Sequence, residues 1–368
     1  MSLYIGRRGW YSLGQSTKLS YRAVYWLFFG LLILWFPLLE IAQDYLPITP
    51  GLWFTISGWY SMIAVVYLFL LLVVIDIVRL LDRRMRFVPV AIKDHQKTPK
   101  VFASVILVFV TLTLIYGSWN ARHPVIVNYE LTVDKESQLD QLRIAMVSDI
   151  HYGDIIDVSR LKGMVEAIEE LQPDLILLAG DITDGMVTKE KAQKLIAVLE
   201  KMQAKYGIYA VPGNHDRWAR NDSDILRSFN EAGINVLRDS FIKVDNGFYI
   251  IGRDDPSNSR ERGRKELGGL MQGVDASLPI ILLDHQPIDI EISEKNQIDL
   301  QLSGHTHRGQ IFPGQLITNQ LYDSHWGLLT RGSYHLIVSS GYGTWGPPLR
   351  IGTHPEVVNV TIKFKDRI

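Results

Sequence analysis

The sequence predicts two bodies in series: N-terminal transmembrane α-helices over residues 1–123, then an α/β domain over residues 124–368. Three observations carry this. Three apolar runs of about 20 residues lie in the first part. Charge divides between the parts, with 12 Lys+Arg against 5 Asp+Glu in residues 1–123 and 26 against 34 in the remainder. From residue 124 onward, short apolar runs alternate with helical patterns, as expected of strands covered by helices. A length of 368 residues with 47% hydrophobic content can fill both bodies.

The runs AVYWLFFGLLILWFPLLEIA (23–42), LWFTISGWYSMIAVVYLFLLLVVI (52–75) and VFASVILVFVTLTLIYGSW (101–119) are each long enough to cross a ~30 Å hydrocarbon layer. Glu40 and Asp76 fall near run ends, where a charge reaches the headgroups at modest cost. Arg7, Arg8, Lys18 and Arg22 precede the first run, and Arg79, Arg83, Arg84, Arg86, Lys93, Lys97 and Lys100 fill segment 79–100, whereas 43–51 carries no Lys or Arg. The positive-inside bias therefore predicts a cytoplasmic N-terminus and an extracytoplasmic domain after residue 119. Arg7-Arg8 invites a twin-arginine export signal, but the apolar run starts well downstream and no small-residue cleavage site follows, so these are read as anchoring charges.

The second body opens with the strand-like VIVNYELTV. The runs LRIAMVSD, DLILLAGD and GIYAVPGNH each precede a helical pattern, around 158–171, 187–203 and 222–232. INVLRDS and FIKVDNGFYIIG follow, the latter with an Asn246-Gly247 turn that predicts a hairpin. Then come PIILLDH, a helical stretch near 287–294, DLQLSGHTH, YHLIVSS and VVNVTIKF. The insert RDDPSNSRERGRKE (253–266) predicts a mobile charged loop leading into a helix, with Asp254 and Asp255 belonging to that loop or to a substrate lid. Acidic balance here argues against nucleic acid as a general partner, which needs a basic footprint. The absence of cysteine excludes disulfides and thiolate ligands, so any metal must sit among nitrogen and oxygen donors.

The informative observation is where His and Asp fall. Asp149 and His151, Asp181 and Asp184, Asn214 with His215 and Asp216, His285, and His305 with His307 each lie just past the end of a predicted core strand, the rim where open α/β sheets bind ligands. Each motif alone has a plain structural reading. Asp-x-His after a strand can be a helix cap, Gly-Asn-His-Asp a tight turn, and His285 a hydrogen-bonded core histidine. None of these explains why five strands end in such donors at once, whereas a metal centre needs that clustering.

In this the chain resembles the calcineurin-like metallophosphoesterases, whose five-part pattern appears here in order as SDIH (148–151), GDITD (180–184), GNHD (213–216), DH (284–285) and GHTH (304–307). The resemblance covers roughly residues 141–345 and implies an αββα sandwich-type fold with two divalent metal ions. By position, Asp149, His151 and His307 would serve one ion and Asn214, His285 and His305 the other, with Asp181 bridging. The mixed donors suit manganese, iron or zinc better than calcium. His215, oriented by Asp184, would protonate or stabilise the leaving oxygen. Gly185 stands where the family's protein phosphatases carry an arginine, which lowers the case for phosphoproteins. Arg217 and Arg308 are candidate substitutes, with a solvated surface role as the alternative.

The membrane prefix and SSGYGTWGPPLRIGT (339–353) are similar to a bacterial membrane-anchored subgroup, some members of which carry one more span ahead of the position of Met1. That implies a multi-pass protein of the bacterial cell membrane. Its substrate would be a phosphodiester, pyrophosphate or phosphomonoester, lipid-linked or part of the envelope, because tethering raises the effective concentration of such molecules. The bilayer and this phosphoester are the partners expected; no protein partner is predicted. A UDP-2,3-diacylglucosamine-type pyrophosphatase is the alternative enzyme, disfavoured by topology because that substrate is cytosolic. A non-catalytic metal-binding sensor or assembly protein is the alternative of another class. Trp345 is expected either at headgroup level or against the active-site loops.

Overall fold

The computed structural model describes residues 1–12, 18–45, 51–93, 95–185, 187–216, 223–245, 247–258 and 263–365, so Arg217 and Asn246 lie outside the described residues. Two compact units result: Met1–Ser118 with Gly346–Pro348, and Trp119–Trp345 with Leu349–Ile368.

The first unit is helical: α1 (Ser2–Ser12), α2 (Leu19–Tyr45), α3 (Leu52–Met85), α4 (Val90–Lys93) and α5 (Thr98–Asn120). The helices α2, α3 and α5 are long and apolar enough to cross a membrane. Their apolar side chains point outward: in the most apolar stretches of α2, α3 and α5 only 6%, 22% and 11% of residues are buried. In water such a surface would be an aggregation patch, whereas hydrocarbon accepts it, leaving polar contacts to fix the helices together. The Trp35 indole N–H donates to Ser57 Oγ (2.8 Å), Ser61 Oγ to the Leu32 carbonyl, and the Tyr60 hydroxyl to Ser118 Oγ (2.6 Å). The helix α3 runs past its apolar stretch to Met85, where Arg86 in left-handed conformation ends it. Asp82 then fixes the turn by accepting the Val88 N–H (2.8 Å) and pairing with Lys93.

The second unit carries, in order, β1 (Val125–Glu136), β2 (Gln141–Val147), α6 (Val158–Glu170), β3 (Leu175–Ala179), α7 (Lys189–Leu199), β4 (Ile208–Val211), α8 (Ser223–Glu231), β5 (Ile234–Val236), β6 (Ser240–Val244), β7 (Phe248–Gly252), α9 (Leu267–Leu270), β8 (Ile280–Leu283), α10 (Ile290–Lys295), β9 (Leu300–Ser303), α11 (Gly314–Leu321), β10 (Gly327–Arg331), β11 (Tyr334–Val338) and β12 (Glu356–Lys365). Asp157 caps α6 by accepting the Arg160 N–H (3.1 Å), as Thr188 caps α7 through Lys191 (3.3 Å).

Two six-stranded sheets form, ordered β1-β12-β2-β3-β4-β5 and β10-β11-β9-β8-β7-β6. Their central neighbours are parallel, as the alternation predicts, but β12 pairs antiparallel with β2, and β6 and β10 are antiparallel edges. Side chains alternate between two cores: Ala145, Val147, Ile176 and Leu178 face the helices, while Ile144, Met146, Leu175 and Leu177 face Ile281, Leu283, Leu300 and Leu302 of the other sheet. A third core packs the outer face of the second sheet on α9 and α10. Both faces of these strands are covered, which is why they read as unbroken apolar runs. The result is the expected helix–sheet–sheet–helix sandwich, and it brings the C-terminal ends of β2, β3, β4, β8 and β9 to one rim.

Candidate metal centre

At that rim the chain leaves β2, β3 and β9 through left-handed backbone. Asp149, His151, Asp181, His305 and His307 have φ between 48° and 70°, a region that costs a non-glycine residue about 1–3 kcal/mol unless its surroundings enforce it. Such strain sharpens the turn, so a side chain just past a strand points back across the sheet ends. Two glycines make the approach close enough. A Cβ on Gly213 would stand 2.1 Å from Asp181 Oδ1, and one on Gly304 would stand 2.2 Å from Asp149 Oδ2. The glycines before Asn214 and His305 are therefore spaces for carboxylates.

The predicted ligands converge in two clusters. Asp149, His151 and His307 present donor atoms within 4.8 Å of one another, and so do Asp181, His285 and His305. His151 Nε2 is 3.1 Å from His307 Nε2, which is 3.4 Å from Asp149 Oδ1. Asn214 Oδ1 joins the second cluster, 2.8 Å from His305 Nδ1 and 3.2 Å from His285 Nε2. Asp181 Oδ2 lies 3.2 Å from His285 Nε2 and 3.7 Å from His151 Nε2, so it reaches both. Donor atoms gathered this closely need protons or a cation among them, and with no thiolate present the set of imidazole nitrogens and carboxylate oxygens fits borderline divalent cations.

The donors are braced from behind. His285 Nδ1 donates to the Ala179 carbonyl (2.8 Å), turning Nε2 inward. Ser148 Oγ donates to Asp149 Oδ2 (2.6 Å), and the His305 N–H donates to the same carboxylate (3.0 Å). The His215 N–H donates to Asp181 Oδ1 (2.7 Å). Asp184 Oδ1 lies 3.3 Å from His215 Nδ1 and 3.6 Å from His151 Nδ1. The hydrogen bond that His215 donates to Asp184 raises the His215 pKa, against burial. Burial works against a charge on Asp184, yet His151 and His215 hold it below the ordinary carboxylate value. Burial, with His151 and Arg350 adding to it, drives His307 well below the ordinary histidine value, leaving a neutral ring able to act as a ligand.

Two residues without an assigned role complete the frame. Asp216, the last residue of GNHD, turns inward and accepts N–H groups from Ile182 (3.1 Å), Thr183 (2.8 Å) and Gly213 (2.8 Å), tying together the turns after β3 and β4. Burial and neighbouring Asp181 push its carboxyl up to about 6. Arg350 is fully buried, its guanidinium donating to the Gly341 (3.0 Å) and Gly343 (2.7 Å) carbonyls and lying 3.3 Å from His307 Nδ1. No spacing rule singles out one arginine in PPLRIGT.

Other expectations change. Arg253, Asp254 and Asp255, expected in a mobile charged loop, are buried. Arg253 bonds Asp284 (3.2 Å), Asp254 takes Arg238 (2.6 Å), and Asp255 accepts from Gln286 (2.8 Å). Buried charges persist only when so paired, so Arg253, Asp254 and Asp255 are part of the frame. Arg308 lies 3.7 Å from the centre of the Trp326 ring rather than among the cluster donors. Trp345 is tied by its backbone to the Gln310 amide (2.9 and 3.0 Å), with its ring 6.4 Å from that of His215. It therefore packs against the site loops.

The family profile of the calcineurin-like phosphoesterases matches residues 142–309, which include all nine predicted site residues. A transmembrane protein with metallophosphoesterase domain from Danio rerio is 30% identical over 70% of this chain and 62% of its own length. An uncharacterized metallophosphoesterase of Aquifex aeolicus is 33% identical over 64% of this chain and 91% of its own. Among solved structures, a dimetal phosphatase from Danio rerio superposes with a TM-score of 0.39 at 14% identity, over 61% of this chain and 99% of that one.

Proposed function

The chain belongs to the calcineurin-like metallophosphoesterases, metal-dependent hydrolases of phosphoric esters, and from that premise we propose a membrane-anchored two-metal phosphoesterase that cleaves a lipid-linked or envelope substrate. The observation that supports it most is the convergence of seven N and O donors from five strand ends into two clusters joined by Asp181. Asp149, His151 and His307 would hold one divalent ion, and Asn214, His285 and His305 the other, with Asp181 between them. Two cations so held would activate a water and neutralise charge on the phosphoryl oxygens.

The remaining chemistry falls to the chain's own residues. His215 stands beside the donors with Nδ1 toward Asp184, which leaves Nε2 to carry the proton. As water attacks phosphorus and the bond to the leaving oxygen breaks, Nε2–H passes its proton to that oxygen. Asp184 favours the charged imidazolium before transfer and fixes its tautomer. Trp345, beside His215, limits the approach of substrate from that side.

The location of the substrate is read from the membrane helices. Lys and Arg cluster before α2 and between α3 and α5, which supports a multi-pass arrangement with the catalytic unit on the extracytoplasmic side. Protection of that unit from protease on intact cells would overturn the orientation.

Purified full-length protein supplied with manganese tests the reaction on bis(p-nitrophenyl) phosphate and p-nitrophenyl phosphate, beside Asp181→Asn and His215→Ala. The proposal expects turnover by the parent, loss of turnover in both variants, and unchanged metal content in His215→Ala. Equal rates in all three proteins would sink it, and the ratio of the two parent rates gives the ester class.

A further inference from the structure

A cavity of ≈ 400 Å³ opens among α1, α2, α3 and α5, entirely within the helical unit. That volume falls in the ~300–1,000 Å³ range of sites that hold a discrete ligand. Its walls divide by chemistry along the helices. Leu32 of α2, Leu68 of α3 and Ile106 of α5 line one end, while Arg8 of α1, Arg79 of α3 and the first turn of α5 at Pro99 line the other. Because α3 runs antiparallel to α2 and α5, the C-terminal part of α3 and the start of α5 share this polar end. The N-terminal end of a helix adds partial positive charge there.

The short helix α1 is what closes the cavity. Gly6 and Gly9 let it lie against α2: a Cβ on Gly6 would stand 2.6 Å from the Trp26 ring, and the Tyr25 hydroxyl donates to the Gly6 carbonyl (2.7 Å). Outside the cavity lining, Asp76 Oδ1 receives Arg8 at 2.8 Å and Arg79 at 3.5 Å, while Oδ2 accepts the Tyr4 hydroxyl (2.5 Å). One carboxylate thus serves two guanidinium groups, and one positive charge of this cluster stays uncompensated among the described residues. Both arginines remain accessible, with side chains 29% and 56% exposed.

We propose that this cavity binds one anionic phospholipid, its phosphate against Arg8 and Arg79 and an acyl chain between Leu32, Leu68 and Ile106. An aqueous anion would satisfy the arginines and leave the apolar end unfilled; a hydrocarbon chain alone would do the reverse. A zwitterionic lipid brings its own cation to a mouth that is already positive, which favours a headgroup of net negative charge. The site is separate from the metal centre, and the proposal does not depend on the reaction assigned to it.

The test reconstitutes the full chain into nanodiscs of equimolar phosphatidylcholine and phosphatidylglycerol, transfers it to mild detergent, and counts retained lipids by native mass spectrometry. The parent retains one phosphatidylglycerol in preference to phosphatidylcholine. The double variant Arg8→Gln/Arg79→Gln lowers that retention at least about tenfold, since each basic side chain contributes to holding an anionic headgroup. Ala103→Trp, which adds bulk to the cavity wall without altering charge, lowers it as well. Equal retention of the two lipids by the parent overturns the proposal whatever the variants do, and so does unchanged phosphatidylglycerol retention in Ala103→Trp.

Discussion

The two halves of the proposed metal centre use the same donor chemistry but are held in different ways. In the half made by Asp149, His151 and His307, side chains do most of the bracing, beside the His305 N–H on Asp149: Ser148 on Asp149, Asp184 near His151, and Arg350 behind His307. All three donors there also sit on left-handed backbone. In the half made by Asn214, His285 and His305, the main chain has the larger part, since His285 is fixed by the Ala179 carbonyl inside a sheet. A half held by side chains can be loosened one side chain at a time, whereas a half held by a strand carbonyl resists any single substitution nearby.

Variants put that contrast to the test. The largest effect is expected for Asp181→Asn, which weakens the residue common to both halves: turnover of a generic diester disappears and metal content falls at both positions, read by elemental analysis. Next comes His215→Ala, which should lower kcat by about 10²–10⁴-fold, the usual share of a positioned acid, while both ions stay bound. Arg350→Met should weaken the ion on the His307 side by about 10–100-fold, as loss of an outer partner of a ligand commonly does, and leave the His285 side unchanged in a metal titration. Arg350→Lys, which keeps the charge but not the fork that reaches two carbonyls, should recover part of that affinity; equal weakening of both sites in the Met variant would break the contrast. Smallest is Arg308→Ala, which loses a cation–π contact with Trp326 worth about 0.5–1 kcal/mol of stability while kcat/KM stays constant.

Much of this architecture is legible in the chain because two periodicities and one positional rule express it directly. Long apolar runs mark α2, α3 and α5, and the double burial of the central strands makes them continuous apolar runs ending in Asp, Asn or His. What stays hidden has a physical reason in each case. The burial of Arg350 depends on a loop and a histidine that come together only in the fold. The strand β10 and the helix α11 lack a strong pattern because they sit at the sheet edge and surface. The segment from Arg253 reads as a solvated loop because composition cannot show that its charges find Asp284, Arg238 and Gln286. The helix α1 is short and bears adjacent arginines, and only its two glycines, facing Tyr25 and Trp26, explain its docking.

The central claim is that two separate ion sites share Asp181, and metal stoichiometry tests it most directly. Purified parent, His307→Ala and His285→Ala are each equilibrated with manganese, and bound ions per chain are counted. Two ions are expected in the parent and one in each variant, with the double variant binding none. A single ion in the parent, or loss of both ions from either single variant, would contradict it.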